Sequence, residues 1–184
     1  RSVLFIEQPI HRDAAFLSDL SSLSDRCPVI IDESDEDYDA FPRAVRCGYR
    51  GVSSKQCKGL YKSIINSARC VEMNRSLARP IYFMSGEDLT TQPGLALQQD
   101  LLLAVSLGIT HLERNGHHYV RGLSDLPESE QEAFLAAHPD LYIRDGDLVR
   151  VDIRKGKMKI SSLHAPGFGY SAEPDWERMD MRPL

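Results

Sequence analysis

Five short, nearly continuous apolar runs at residues 3–6, 28–31, 51–54, 80–84 and 109–112 begin 25, 23, 29 and 29 residues apart. That interval holds one strand, one helix and one return, so the chain is predicted to repeat a βα step. The runs do not alternate apolar with polar, which predicts parallel strands covered on both faces rather than a sheet with one wet face. The fold class is therefore α/β, either doubly wound or barrel. Between the runs, Phe16, Leu17, Leu20 and Leu23 make a one-sided helical stripe behind Asp13 as N-cap. A second stripe comprises Leu60, Tyr61, Ile64, Ile65, Ala68 and Val71. Both are predicted to face a sheet. Pro42 suits only the first turn of a helix at 41–47 that Gly48 ends, and Pro93 opens a helix at 95–107 that Gly108 closes.

Beyond residue 120 the pattern changes. A helix at Glu128–Ala137, stopped by Pro139, precedes strand-like segments at 141–143 and 148–153, and Lys155-Gly156-Lys157 is predicted to turn into a further strand at 158–160. The Gly/Pro-punctuated segment 165–170 fits a structured loop or a covering strand. Residues 1–122 are thus expected to form the βα part, and 123–184 an appendage of helix, hairpin and tail. The sequence begins without Met and is strand-like from Val3, so it is expected to start within a domain. Its 22 basic and 27 acidic residues leave a net charge of −5, and the basic residues form no block longer than 154–159. Nucleic acid is accordingly not an expected partner. No stretch approaches the roughly 18–20 apolar residues that span a bilayer, and no signal-peptide pattern opens the chain, so a cytoplasmic protein is expected. Cys27, Cys47, Cys57 and Cys70 have neither zinc-pair spacing nor the density of a disulfide framework and are read as reduced thiols.

Sites in parallel α/β folds gather at the carboxyl ends of strands. Here the runs end in Glu7-Gln8-Pro9, Asp32-Glu33-Ser34, Lys55, Ser85-Gly86-Glu87-Asp88 and Glu113-Arg114-Asn115. Each has a plain structural alternative: a strand-closing acid for Glu7, helix-capping loop acids for Asp32 and Glu33, a snorkelling surface lysine for Lys55. Their succession at three consecutive strand ends is what points to chemistry. Carboxylates converging from neighbouring strands repel unless a hard cation sits between them, and Mg²⁺ takes such oxygen donors. A lysine facing that cation is suited to act as a base.

Phe5-Ile6-Glu7-Gln8-Pro9, Pro28-Val29-Ile30-Ile31-Asp32-Glu33-Ser34 and the strand ending in Lys55 resemble the second half of the enolase superfamily barrel, most closely its mandelate racemase / muconate lactonizing enzyme branch. Pro166-Gly167-Phe168-Gly169 is similar to the Pro-Gly-x-Gly stretch near the end of many such chains. The resemblance spans essentially all 184 residues. It implies a partial (β/α)₈ TIM barrel, strands four to eight, with a small C-terminal β-rich appendage. It implies that Glu7 and Asp32 are the second and third Mg²⁺ carboxylates, that Glu33 orients the ligands rather than binding the ion, and that Lys55 is the catalytic acid/base. The implied reaction removes the α-proton of a small carboxylate substrate to give a metal-stabilised enolate, leading to racemisation, dehydration or cycloisomerisation. Ser85, Glu87, Asn115 and His117 are the candidate substrate contacts. The adjacent histidines 117 and 118 would point to opposite faces of a strand, which favours a loop role over shared metal ligation.

The family's first metal Asp, its Lys-x-Lys pair and its capping domain lie on segments expected to precede residue 1, and Lys58-Gly59 stands where the family usually has Gly-Gly. Mg²⁺ binding by this chain alone is therefore expected to be weak or absent. A contrasting expectation is a non-catalytic partial barrel whose open sheet edge is buried by self-association into a homo-oligomer.

Overall fold

The computed structural model describes residues 3–87, 89, 93–114 and 116–175. The chain divides into two compact units, one of Arg1–Glu87 with Leu107–Leu112, the other of Asp88–Ser106 with Glu113–Leu184. Among the described residues the fold is mixed α/β, with a four-stranded parallel sheet and a two-stranded antiparallel hairpin. No helix of the described residues is long and apolar enough to cross a membrane.

The first unit is built on β1 (Ile6–Glu7), α1 (Ser21–Ser24), β2 (Val29–Ile31), α2 (Ala40–Arg46), β3 (Gly51–Ser53), α3 (Leu60–Asn74) and β4 (Phe83–Ser85). The strands lie side by side in chain order, β1-β2-β3-β4, all parallel. Ile6 pairs with Val29, Ile30 with Gly51 and Val52 with Met84. The central strands β2 and β3 are buried on both faces, with Val29, Ile30, Ile31 and Val52 fully buried, while β1 and most of β4 are half-buried. Phe41, Ala44, Tyr49 and Leu20 pack into the same core. The Tyr49 hydroxyl donates to the Ala15 carbonyl at 3.1 Å, so its polar tip is satisfied where its ring is buried. α2 ends as its sequence predicts, because Gly48 takes φ +89, and a Cβ there would lie 2.4 Å from the Ser21 nitrogen.

In this unit three local expectations fail. The stripe from Phe16 to Leu23 is not one helix. His11, rather than Asp13, caps a 3₁₀ turn at Arg12–Ala14, and after a break only the single turn α1 forms, leaving Leu17 80% exposed. Asp19 causes the break by accepting from both the Ser21 backbone N–H (2.9 Å) and the Ser21 hydroxyl, which starts a new turn in place of continuing the old one. The run at 109–112 pairs only through a parallel bridge between Gly86 and Leu112. Most consequential, α3 is inverted: it buries Lys62, Ser63, Asn66 and Cys70 and leaves Tyr61 74% and Val71 65% exposed, with Leu60, Ile64 and Ile65 also outward. The groups beneath α3 explain this. The buried Asp35 and Ser54 find their polar partners in Lys62 and Ser63, and an unpartnered buried charge costs more than exposed aliphatic side chains.

The second unit contains α4 (Leu95–Ser106), α5 (Glu128–Ala137), β5 (Tyr142–Asp145) and β6 (Leu148–Val151). Its core gathers Leu97, Leu101, Leu103, Phe134, Leu141, Tyr142, Val149 and Leu163. Gln98 donates to the Tyr142 hydroxyl at 3.0 Å inside it. β5 and β6 join through Gly146-Asp147, with Gly146 at φ +64 in the first central position of the turn. Arg154 and Lys157 bridge across Lys155 and Gly156, both at positive φ, so the predicted turn forms. The strand predicted at 158–160 does not form, and the chain runs instead into a 3₁₀ turn at Ser161–His164.

His138, fully buried just past α5, sits with Nδ1 3.0 Å from the Ser162 hydroxyl. Burial pushes the imidazole below its usual range, with only partial opposition from Asp140. A folded-state pKa below the unfolded one means that the unfolded chain binds the proton more readily. Stability is therefore full above the unfolded value and falls as pH drops through it. Thermal melts at pH 7.5 and 5.5 are expected to show a lower midpoint at the acidic value, and His138→Gln should flatten that difference.

Candidate functional site

Glu7 closes β1, and Gln8 immediately after it organises the exit of β2. Its side-chain oxygen accepts from the backbone N–H groups of Asp32 (3.1 Å) and Ser34 (3.0 Å), while its amide nitrogen donates to the Ser34 hydroxyl at 3.0 Å. The Ser34 hydroxyl in turn donates to the Arg12 carbonyl at 3.2 Å. One amide thus satisfies two backbone donors that a loop leaving a buried strand would otherwise strand, and it fixes where Asp32 begins.

Asp32 is 1% exposed and sits among cations. Lys55 Nζ donates to its Oδ2 at 3.1 Å, and Lys58 Nζ to its Oδ1. Lys58 also donates to the Asp32 carbonyl at 2.8 Å and lies 3.4 Å from the Ser53 carbonyl. Both lysine side chains are only 13% exposed. Two lysines three residues apart reach one carboxylate because Lys55 is extended, Gln56–Lys58 is a 3₁₀ turn, and Gly59 reverses the chain at φ +100. Burial alone would raise the Asp32 carboxyl. The Lys58 ammonium, then Lys55 and a hydrogen bond from the Glu7 carboxyl, outweigh it and hold Asp32 down at about 2. Lys58 is lowered as well, but here burial prevails and pushes it below the usual lysine range despite Asp32 and Asp35.

Oxygens of Glu7, Asp32 and Glu33 all lie within 4.8 Å of one another, with Asp32 buried and Glu33 exposed. Such a set of carboxylate oxygens is the donor type of a hard divalent cation. The donor types suit Mg²⁺, but Asp32 already accepts from Lys55, Lys58 and Glu7, so an ion among these carboxylates would have to displace one of those partners. A Glu87 oxygen also lies within 4.8 Å of Glu7. The fully buried Ser85 hydroxyl donates to Glu87, and the Glu87 N–H donates to Ser53 Oγ at 3.3 Å, which aims that carboxylate at the same end of the sheet. His111 Nε2 is 4.0 Å from Glu87 Oε1. The structure thus brings together Glu7, Asp32, Glu33, Lys55 and Glu87, with Ser85 behind Glu87. The expected contacts Asn115 and the His117 side chain lie outside the described residues, and histidines 117 and 118 stand on a 3₁₀ turn, Gly116–His118, rather than on a strand.

Lys58, Gln8 and a second buried pair, Asp35 with Lys62, were not anticipated. Lys62 Nζ is 3.0 Å from Asp35 Oδ2 and also donates to the Asp35 carbonyl. Ser54 donates to Ser63 at 2.8 Å beside it. Burial raises the Asp35 carboxyl, with Lys62 pulling the other way. No helical spacing signals them, because Asp32 and Asp35 lie on a turn and Lys55, Lys58 and Lys62 are separated by the 3₁₀ turn and the Gly59 reversal.

Comparison of the chain with protein-family models, with curated proteins and with solved structures returns no match.

Removing Lys62 strands Asp35, which is 1% exposed. Lys62→Met is expected to destabilise the chain by about 3 kcal/mol in urea unfolding at neutral pH, and Asp35→Leu/Lys62→Met to recover most of it. Equal stability of the single variant and the parent would count against the pair as the reason for the inversion of α3.

Proposed function

We propose that this chain is the C-terminal portion of a Mg²⁺-dependent enolase-superfamily enzyme of the mandelate racemase / muconate lactonizing type, folded as strands four to eight of a (β/α)₈ barrel. Its substrate is a small carboxylate that loses its α-proton, with racemisation, dehydration or cycloisomerisation as the outcome. Two features of the sheet support the barrel over a doubly wound fold. The strands follow chain order without the reversal that makes a doubly wound switch point, and the ionisable groups stand at the carboxyl ends of successive strands, the catalytic end of barrels. The observation that carries the reading is the convergence of Glu7, Asp32 and Glu33 oxygens within 4.8 Å, with Lys55 Nζ 3.1 Å from Asp32.

Glu7 and Asp32 would hold the cation, and Glu33, expected from the sequence only to orient them, is close enough to be a third donor; when bound, the cation supplies positive charge for the oxygens of a substrate carboxylate. The chain's own residues do the rest. Lys55 Nζ, in its neutral form, takes the proton from the α-carbon, and the C–H electron pair passes into the adjoining carboxylate. Asp32 accepts from Lys55 and so fixes where Nζ points. Glu87, held by Ser85, presents a polar wall at the neighbouring strand end.

The test is solvent exchange. The longer protein that carries this chain, with Mg²⁺, is incubated in D₂O with a panel of acid sugars and N-acyl amino acids, and loss of the α-proton signal is followed by NMR. Exchange is expected with at least one substrate, and Lys55→Met should slow it by about 10²-fold or more with an unchanged circular dichroism spectrum. Exchange at the parent rate in that variant would remove Lys55 from the mechanism.

The outward apolar face of α3 favours a second reading, a non-catalytic module that self-associates into a homo-oligomer. Sedimentation velocity is expected to show an oligomer in that case; a folded monomer at micromolar concentration would dismiss it.

A further inference from the structure

Lys58 occupies an unusual position for a lysine. Its Nζ is enclosed by Asp32 Oδ1, the Asp32 carbonyl at 2.8 Å and the Ser53 carbonyl at 3.4 Å, three oxygen acceptors for three N–H donors. It does not extend into solvent, as a lysine on a 3₁₀ turn ordinarily does. It sits on the one buried carboxylate of the three that converge, and on the opposite oxygen from Lys55.

We propose that Lys58 is a built-in counter-cation for Asp32, which competes with a divalent cation for the same carboxylate and so regulates loading of the site. This rests on the reading of Glu7, Asp32 and Glu33 as cation ligands. A divalent cation and an ammonium repel at such separation, and the burial of Asp32 between them limits their screening. They therefore hold Asp32 Oδ1 in alternation. The cation binds only the fraction of molecules in which Lys58 has withdrawn, and its apparent affinity falls by that fraction. When the cation is absent, Lys58 keeps the buried Asp32 charge compensated, so the first unit folds without metal. Lys62 is the internal control: its side chain is 7% exposed against 13% for Lys58, but it serves Asp35 and has no part in the exchange.

Mn²⁺ binding to this chain is measured by calorimetry and by electron paramagnetic resonance for the parent, Lys58→Met, Glu7→Gln and the double variant. Lys58→Met is expected to bind Mn²⁺ about tenfold more tightly than the parent or better, the competing state having been removed, and adding Glu7→Gln should abolish the gain. Lys58→Met binding no tighter than the parent overturns the proposal. If Glu7→Gln nevertheless weakens binding, the cation site stands without the competition. If Mn²⁺ affinity is the same in all four proteins, the carboxylate reading falls too. A measurement on the parent alone guards against a variant that fails to fold. Brief acetic anhydride labelling read by mass spectrometry should find Lys58 more reactive in millimolar Mg²⁺ than without it, and Lys62 unchanged. Lys58 labelling that does not respond to Mg²⁺ overturns the proposal.

Discussion

The Asp32 carboxylate is 1% exposed and ionised, and much of the first unit is arranged around that fact. A buried charge is tolerated only when it is paired and hydrogen-bonded. Lys55 and Lys58 supply the charge, Gln8 fixes the backbone from which Asp32 projects, and the turn before α3 exists in the shape that lets both lysines arrive. The same requirement extends one turn further to Asp35, and there it sets the orientation of a whole helix. α3 presents Lys62, Ser63 and Asn66 inward, and its aliphatic residues are left outside.

These two acids, three residues apart, respond to pH with opposite sign. Asp32 is held down at about 2 in the folded chain, so it contributes stability above its ordinary value of 3.8 that is lost as pH falls toward 2. Asp35 is raised, and the folded state therefore holds its proton more readily than the unfolded chain. Its contribution is full below the ordinary value and declines as pH rises through the raised one. Asp32 is hydrogen-bonded by Lys58 and Glu7 and feels the charges of Lys58 and Lys55, which together outweigh its burial. Asp35 is hydrogen-bonded by Lys62 alone of the lysines, feels Lys58 only at a distance and has the Asp32 charge beside it, so its burial prevails.

Much of the scaffold was legible in the sequence, because it depends on local rules. The apolar runs mark the four strands, Pro42 and Gly48 bracket α2, Glu128–Ala137 is a helix as written, and Glu7, Asp32 and Lys55 meet where strand ends in an α/β fold predict. Two of the failures share a cause. The Phe16–Leu23 stripe gave way to the Asp19 side chain, and the α3 stripe gave way to Asp35. In each, a polar group with a specific geometric need overrode an apolar periodicity that has no direction of its own. Gln8 and Lys58 escaped notice for a related reason. Their roles lie in contacts more than twenty residues away, to Asp32 and Ser34, which no window along the chain contains.

Parallel order adds the last constraint. With β1 to β4 laid down in sequence, each strand exit neighbours the next, so Glu7, Asp32, Lys55 and Glu87 arrive along one edge without any strand having to cross. An edge that collects three carboxylates from adjacent strands is unstable unless it also collects cations. The exit of β3 supplies them, because it is flanked by the acids of β1 and β2 on one side and of β4 on the other. Lys55 and Lys58 both sit at that exit. The central position gives one of them the carboxylate that orients it for proton transfer. It gives the other the task of keeping that carboxylate paired, which any further cation at this edge must contest.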